Sequence, residues 1–230
     1  SGKTNGWHDA AFFNMCRPLE LVFANGMDKG VQVGIQTGDV TKMNTFNEFY
    51  DAYKKQMEYC ISLMVNADNA IDVAHAERCP LPFLASMVDD CLTRGLTAEQ
   101  GGAVYNFTGP QGFGIANMAD SLYAIRKLVY EDKKVSMETY KEALAWNYDK
   151  GLDEKSVADM SEMILKGMQD AGMTVNEDTA KAVLQTVMRL KPSDEQIQKF
   201  TELHDMIDEV PKFGNDIPEV DYFAREVAYT

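Results

Sequence analysis

Apolar residues follow the helical repeat along most of the chain. A first apolar stripe begins at Phe12, passes Leu19 and ends before Gly26, which predicts a helix. Pro18 lies inside that stripe, so the sequence predicts a kink at this position. Residues 31–35 alternate between apolar and polar or glycine positions, which predicts one short strand.

The second helical pattern begins with a capping signal. Thr45 is followed three residues later by Glu48, a pair whose side chains satisfy backbone amides of a helical first turn. This helix is predicted to run to about Ala76, and another is predicted over 82–94. Four further helices are predicted in the last part of the chain, the last of them opening at Ser193. The predicted fold class is mainly α with a few short strands.

Charge narrows the classes of partner. The chain carries 22 basic and 36 acidic residues, a net charge of −14, and such a surface repels phosphate backbones and anionic lipids. Neither a nucleic acid nor a membrane is therefore expected as a partner, and no apolar run is long enough to span a bilayer. The four cysteines lie far apart without a Cys-x-x-Cys pair, so they are predicted to be small core residues, and no metal site is expected. They are Cys16, Cys60, Cys79 and Cys91.

A glycine-rich turn raises the question of nucleotide binding. Residues 105–122 read YNFTGPQGFGIANMADSL, which predicts a strand, a turn and a helix from about Ile115. A dinucleotide fingerprint needs glycines spaced G-x-G-x-x-G after a strand of a parallel sheet. Gly112 and Gly114 supply the first two, but Asn117 stands at the third, and the chain lacks the repeated strand–helix alternation of a parallel sheet. No NAD is therefore expected.

Four segments in order resemble the glycyl radical enzymes related to pyruvate formate-lyase. They are GKTNGWHDAAFFN, HAERCPLPFLASMVDDC, YNFTGPQGFGIANMADSL and PKFGNDIPEVDYFAREVA. The similarity is greatest to the branch of cobalamin-independent glycerol and propanediol dehydratases. It implies that 1–230 is a partial pyruvate formate-lyase-like domain and that the glycine turn is scaffold. The similarity is weakest over 149–208, where a helical insert is expected.

The resemblance implies a fragment of a ten-stranded α/β barrel. It also implies a lyase that removes water from a small vicinal diol by thiyl-radical hydrogen abstraction. In this family the thiyl radical forms on the cysteine of a GCVE motif, and a glycyl radical in an RVAGY-like segment generates it. Neither motif occurs in the 230 residues, so the chain is expected to lie between them and to hold no catalytic residue.

Cofactor and partners follow from the same resemblance. The glycyl radical would be installed by an activating enzyme that uses S-adenosylmethionine and an iron–sulfur cluster. The substrate would be a small molecule, the full-length enzyme a homodimer, and the location the cytoplasm of an anaerobe.

Two residues are implied in substrate binding. Asp9, in the motif GWHD, matches the aspartate that accepts a hydrogen bond from a substrate hydroxyl in the diol dehydratases. An ionised carboxylate in a closed pocket makes a strong hydrogen bond of this kind. Without the family, Asp9 would be interpreted as the N-cap of a helix beginning at Ala10 or Ala11, and the two roles can coexist. His8 is the second candidate.

Other interpretations stay open on the sequence alone. A carbon–sulfur lyase acting on a hydroxyalkanesulfonate such as isethionate, or a pyruvate formate-lyase-like acyltransferase, would share the scaffold. From a different class, the chain would be a non-catalytic helical module. His75 with Asp72 and Glu77 permits a metal corner, although a histidine at a helix end is the simpler interpretation. Scaffold roles are predicted for Asn106, Thr108 and Gln111.

Overall fold

The computed structural model describes residues 4–7, 10–148, 154–189 and 192–229, and their side chains over 10–148, 158–184 and 192–229. The site candidates His8 and Asp9 lie outside the described residues. So do Gly151 and Lys191, which the sequence predicts as helix boundaries.

Ten α-helices lie within the described residues. In chain order they are α1 (Arg17–Phe23), α2 (Phe46–Arg78), α3 (Pro82–Ala85), α4 (Cys91–Arg94), α5 (Ile115–Ile125), α6 (Met137–Ala145), α7 (Glu154–Asp170), α8 (Glu177–Arg189), α9 (Asp194–Glu209) and α10 (Pro218–Tyr229). A 3-10 turn forms at Val40–Lys42, and α5 continues as a π-helix over Arg126–Glu131.

Six short strands form three two-stranded sheets. They are β1 (Thr4–Trp7), β2 (Phe12–Asn14), β3 (Met27–Asp28), β4 (Val31–Gln32), β5 (Tyr105–Thr108) and β6 (Gln111–Phe113). β1 pairs with β5 and β2 with β6, both in parallel, whereas β3 and β4 form an antiparallel hairpin. The fold is therefore mainly α with a few short strands, as the sequence predicts.

The chain divides into two compact units, of which the first comprises Ser1–Arg126 and Lys212–Thr230. Its core lies where the N-terminal turns of α2 meet α5 and α10. Phe223 is fully buried, and its ring contacts those of Phe46 and Tyr50 with centroids 5.5 and 6.0 Å apart. Met118 and Leu122 bury the facing side of α5. Burial of large apolar side chains of this kind is the main stabilising contribution to a fold.

The second unit comprises Lys127–Pro211. Its helices pack in pairs, α7 with α8 and α6 with α9. Ser193 opens α9 as predicted, because its hydroxyl accepts from the Gln196 amide while the Gln196 side chain accepts from the Ser193 amide. The predicted insert over 149–208 falls entirely within this unit, and its status as an insert stays a prediction.

The first predicted helix is wrong at its N-terminal end. Phe12 lies in β2, and the helix begins only at Arg17. Pro18 produces no kink because it occupies the first turn, where a missing amide hydrogen leaves no helical hydrogen bond unmade. The apolar residues that suggested a single helix belong to two elements, the strand β2 and the helix α1.

The predicted helix over 82–94 is also interrupted. It forms as α3 and α4 with a turn between them, and Asp90 takes a left-handed φ of 74° that no helix interior allows. Gly95 ends α4 as predicted, with a φ of 70°. Thr45 opens α2 as predicted, since its side chain accepts from the Glu48 amide, and the helix ends at Arg78.

The predicted strand over 31–35 ends at Gln32, and a buried amide binds the backbone beyond it. Gln56 of α2 is fully buried, and its Nε2 donates to the Ile35 carbonyl at 2.5 Å. The Ile35 amide in turn donates to Oε1 of Gln56 at 3.3 Å. The Gln56 side chain thus satisfies the two backbone groups of Ile35 that a neighbouring strand would otherwise pair with. Position 34 requires glycine, because the Cβ of any other residue would lie only 2.6 Å from the same Oε1.

Replacing this amide by an acid should make stability depend on pH. In Gln56→Glu, the introduced carboxyl faces the Ile35 carbonyl and can donate to it only when protonated, so its folded-state pKa rises above about 4.3, the ordinary value. The variant then loses stability relative to wild type as pH rises above that value. We expect a penalty of about 3 kcal/mol at neutral pH, shrinking below about pH 4, in urea unfolding.

Gln56→Leu is the matched control. It removes both hydrogen bonds without adding a titratable group, so its penalty of about 2 kcal/mol should be the same at both pH values. A pH-independent penalty in Gln56→Glu as well would contradict the buried clamp.

Candidate functional site

Two parallel segments about 100 residues apart in the chain meet at the candidate site. β1 ends at Trp7, which pairs with Thr108, and β2 begins at Phe12, which pairs with Gln111. Four positions, 8–11, separate the two pairs on the first segment, but only two on the second. The first connection is thus two residues longer than the one it runs beside.

Backbone hydrogen bonds join these two connections. The Ala10 amide donates to the Gly109 carbonyl at 3.4 Å, and the Gln111 amide donates to the Ala11 carbonyl at 2.8 Å. The shorter connection, Gly109–Pro110, contains a proline, whose ring restricts the backbone. The longer connection therefore ends against a short and stiff neighbour.

No helix begins at Ala10 or Ala11. Ala10 lies in a bend, Ala11 has no regular structure, and Phe12 is already in β2. The alternative in which Asp9 caps such a helix is therefore wrong. The two substrate-binding candidates, His8 and Asp9, precede these residues outside the described part of the chain.

The two glycines of the turn are explained by packing against the neighbouring segment. Gly114 has a φ of 93° directly before α5, and a Cβ there would lie 3.0 Å from Sγ of Cys16. A Cβ on Gly112 would overlap the terminal methyl of Met15. The Met15 amide also donates to the Phe113 carbonyl at 3.0 Å. Both glycines thus allow β6 and α5 to approach β2 and α1 closely.

The parallel pairing corrects one sequence-based argument. The sequence shows no repeated strand–helix alternation, yet β2, which precedes α1, pairs in parallel with β6, which precedes α5. Strands of three residues are too short to give a period, and their partners are separated by the long helix α2. The contacts of Gly112 with Met15 and of Gly114 with Cys16 agree with the predicted scaffold role of the turn.

The cysteines of this region are not activated. Burial raises the pKa of the Cys16 thiol, and the Glu20 carboxylate raises it further. Burial likewise raises the pKa of Cys60, although Arg17 opposes the shift. A raised pKa keeps a thiol protonated and weakly nucleophilic. Cys91 is buried as predicted, but Cys79 is exposed, because it follows the last turn of α2 and precedes a proline.

β5 has two different faces. On one, the rings of Tyr105 and Phe107 stack with centroids 6.3 Å apart. On the other, Asn106 Nδ2 donates to the Ala98 carbonyl at 3.4 Å and Thr108 Oγ1 donates to Asp72 Oδ2 at 2.7 Å. The scaffold roles predicted for Asn106 and Thr108 agree with these contacts. No sequence signal could have found the Asp72 contact, since 36 positions separate the partners.

The described residues contain neither a metal-binding cluster nor a helix suited to a membrane. Among them, no group of three or more His, Cys, Asp or Glu side chains is arranged to hold a metal ion. Asp72, part of the possible metal corner with His75, instead accepts the hydrogen bond of Thr108. The helices in the described part of the chain are too short or too polar to cross a membrane.

The chain belongs to the pyruvate formate lyase-like (PFL-like) family, whose model matches residues 1–230. A solved structure on 1,2-propanediol dehydration in Roseburia inulinivorans is 56% identical, with a TM-score of 0.84 over 99% of this chain and 27% of that one. The B12-independent glycerol dehydratase of Clostridium butyricum, in its glycerol-bound form, is 40% identical, with a TM-score of 0.74 over 99% of this chain and 23% of that one.

A curated relative extends the same pattern. The (2S)-3-sulfopropanediol dehydratase of Klebsiella oxytoca is 38% identical over 138 residues, which are 59% of this chain and 17% of the relative. The chain thus spans about a quarter or less of the length of these proteins. The resemblance to glycyl radical enzymes is confirmed, as is the fold class of a fragment of their fold.

The two glycines should respond differently to an added methyl group. Gly114→Ala places alanine in the left-handed region, which costs roughly 1–2 kcal/mol, and crowds Cys16 as well. Gly112→Ala meets only the flexible end of Met15, so its smaller penalty should shrink further in a Met15→Ala background. Urea unfolding of the four variants would measure both effects. Equal penalties at the two glycines would contradict this account.

Proposed function

We propose that the full-length protein carrying this chain is a glycyl radical dehydratase that removes water from a small vicinal diol, glycerol or 1,2-propanediol. The reaction would begin with hydrogen-atom abstraction from the substrate by a cysteine thiyl radical outside this chain. The substrate radical would then lose one hydroxyl as water, with the proton coming from the other hydroxyl, and would take the hydrogen atom back from the cysteine. The diol would thus become an aldehyde without net oxidation or reduction.

The observation that carries the proposal is the likeness over 99% of this chain, at 56% identity, to a protein solved for 1,2-propanediol dehydration. The glycerol dehydratase matches over the same share. Both span the paired segments of the candidate site. Relatives that are dehydratases also argue against a non-catalytic helical module.

Within this reaction, the role of the chain would be to bind and orient the substrate. Asp9 would accept a hydrogen bond from a substrate hydroxyl, and His8 would donate one near the same position. A carboxylate shielded from water strengthens such a bond and favours loss of the hydroxyl proton. The absence of a helix at Ala10 and Ala11 supports this role, since it removes the competing task of capping.

The remaining parts of the proposal come from the family. The glycyl radical would be installed by an activating enzyme with an iron–sulfur cluster and S-adenosylmethionine, and the full-length enzyme would act as a homodimer in the cytoplasm. A carbon–sulfur lyase would use the same radical chemistry on isethionate. Assaying aldehyde from glycerol and 1,2-propanediol against sulfite from isethionate would distinguish the two activities in the activated full-length enzyme.

Asp9→Asn in the full-length enzyme tests the substrate contact. The substitution keeps the shape but removes the charge, and a charged hydrogen bond contributes roughly 1.5–3 kcal/mol, so kcat/KM should fall at least about tenfold. Electron paramagnetic resonance should show a wild-type yield of glycyl radical, which excludes a failure of activation.

The matched control is Asp39→Asn. Asp39 caps the 3-10 turn by accepting from the Thr41 amide at 3.2 Å, a contact that asparagine can also make, so its kcat/KM should not change. An Asp9→Asn enzyme with a normal radical and wild-type kcat/KM would show that Asp9 does not bind the substrate.

The isolated chain should be inactive. Its 230 residues contain neither the GCVE nor the RVAGY-like motif, so an activating enzyme would have no glycine to convert. We expect no aldehyde from glycerol or 1,2-propanediol and no radical signal after activation. Turnover by the purified 230-residue chain would contradict the assignment of the radical residues to other parts of the protein.

A further inference from the structure

A side-chain hydrogen bond joins the polar face of β5 to α2. Thr108 Oγ1 donates to Oδ2 of Asp72 at 2.7 Å, a short and solvent-exposed bond to a carboxylate. Thr108 is also the last residue of β5 and pairs with Trp7, the last residue of β1. The contact therefore lies at the end of the parallel ladder, where both connections begin.

Asp72 stands on a well-anchored element. α2 runs unbroken from Phe46 to Arg78, and its first turns are fixed in the core of the first unit by fully buried Phe49 and Tyr53. Beyond the core, the Gln100 side chain donates to the Ala76 carbonyl at 3.3 Å, one turn past Asp72. A continuous helix held at two places keeps the position of a residue between them.

The connection after Thr108 is short, and two backbone hydrogen bonds join it to the parallel segment. It contains only Gly109 and Pro110, and β6 begins directly after it. Gly109 accepts from the Ala10 amide, and Gln111 donates to the Ala11 carbonyl. A shift of Thr108 would therefore move both backbone groups that hold the end of the longer connection over 8–11.

We infer that Asp72 and Thr108 are positioning residues for the reaction, fixing the ladder end from which the connection over 8–11 departs. The inference rests on the proposed function, in which that connection contacts the substrate. The hydroxyl is what matters, because it makes the bond to Asp72, whereas the methyl group of Thr108 is dispensable. The contact acts through the backbone and does not touch the substrate.

The test compares Thr108→Val, Thr108→Ser and Asp72→Leu with wild type in the full-length enzyme. Valine keeps the shape of threonine without the hydroxyl, whereas serine keeps the hydroxyl. Hydrogen exchange should become faster at the Ala10 and Gln111 amides in the valine and leucine variants. Their kcat/KM, normalised to glycyl radical, should fall about three- to tenfold, chiefly through KM, since loss of one hydrogen bond loosens the binding segment. The serine variant should stay within about twofold.

Thr201→Val is the matched control. The hydroxyl of Thr201 donates to the Ile197 carbonyl of its own helix at 2.9 Å, so its removal should alter neither exchange nor normalised kcat/KM. Unchanged exchange in Thr108→Val would overturn the inference. Faster exchange with wild-type kinetics would also overturn it, since the contact would then be structural only.

Failure of the proposed function would show in the turnover and not in the hydrogen exchange. A wild-type enzyme that carries a glycyl radical but dehydrates neither glycerol nor 1,2-propanediol would refute the diol activity. The exchange measurement needs no turnover, so it would still show whether the Asp72 contact holds the ladder end. Exchange that stays at the wild-type rate in the valine variant would reject the contact in that case as well.

Discussion

The parallel pairing of β1 with β5 and of β2 with β6 is the constraint on which the rest of the first unit depends. These strands are three or four residues long, and their partners lie about 100 positions away in the chain. Such short ladders provide few hydrogen bonds, so their register must be fixed by what packs around them. α2 fixes one end through Asp72, and the close approach at Gly112 and Gly114 fixes the other.

That constraint explains why the turn resembles a phosphate loop. A dinucleotide-binding turn uses glycines to bring a backbone near a pyrophosphate. Here the groups that come near are side chains of the same protein, the terminal methyl of Met15 beside Gly112 and Sγ of Cys16 beside Gly114. Both kinds of turn require glycine because a side chain would block the close approach of another group. Two glycines after a strand therefore indicate close packing, but they do not show whether a ligand or the protein itself packs there.

Local rules predicted the elements that local interactions determine. The start of α2 at Thr45, the start of α9 at Ser193 and the end of α4 at Gly95 were all predicted, because each depends on hydrogen bonds or backbone angles within a few residues. β1 and β2 were missed, since a glycine-containing or three-residue strand acquires its structure only from a distant partner. Asp90 broke a predicted helix for a similar reason, as periodicity does not report a single left-handed residue.

The candidate site likewise combines features that the local sequence predicts with features that it does not. Composition and spacing alone favoured a helix cap for Asp9, and only the family resemblance connected it with a substrate hydroxyl. The structure removes the helix-cap interpretation, because Ala10 and Ala11 begin no helix and Phe12 already pairs with Gln111. The connection over 8–11 is two residues longer than its parallel neighbour. Extra residues at the end of a ladder are where a scaffold can hold a binding side chain without disturbing its own hydrogen bonds.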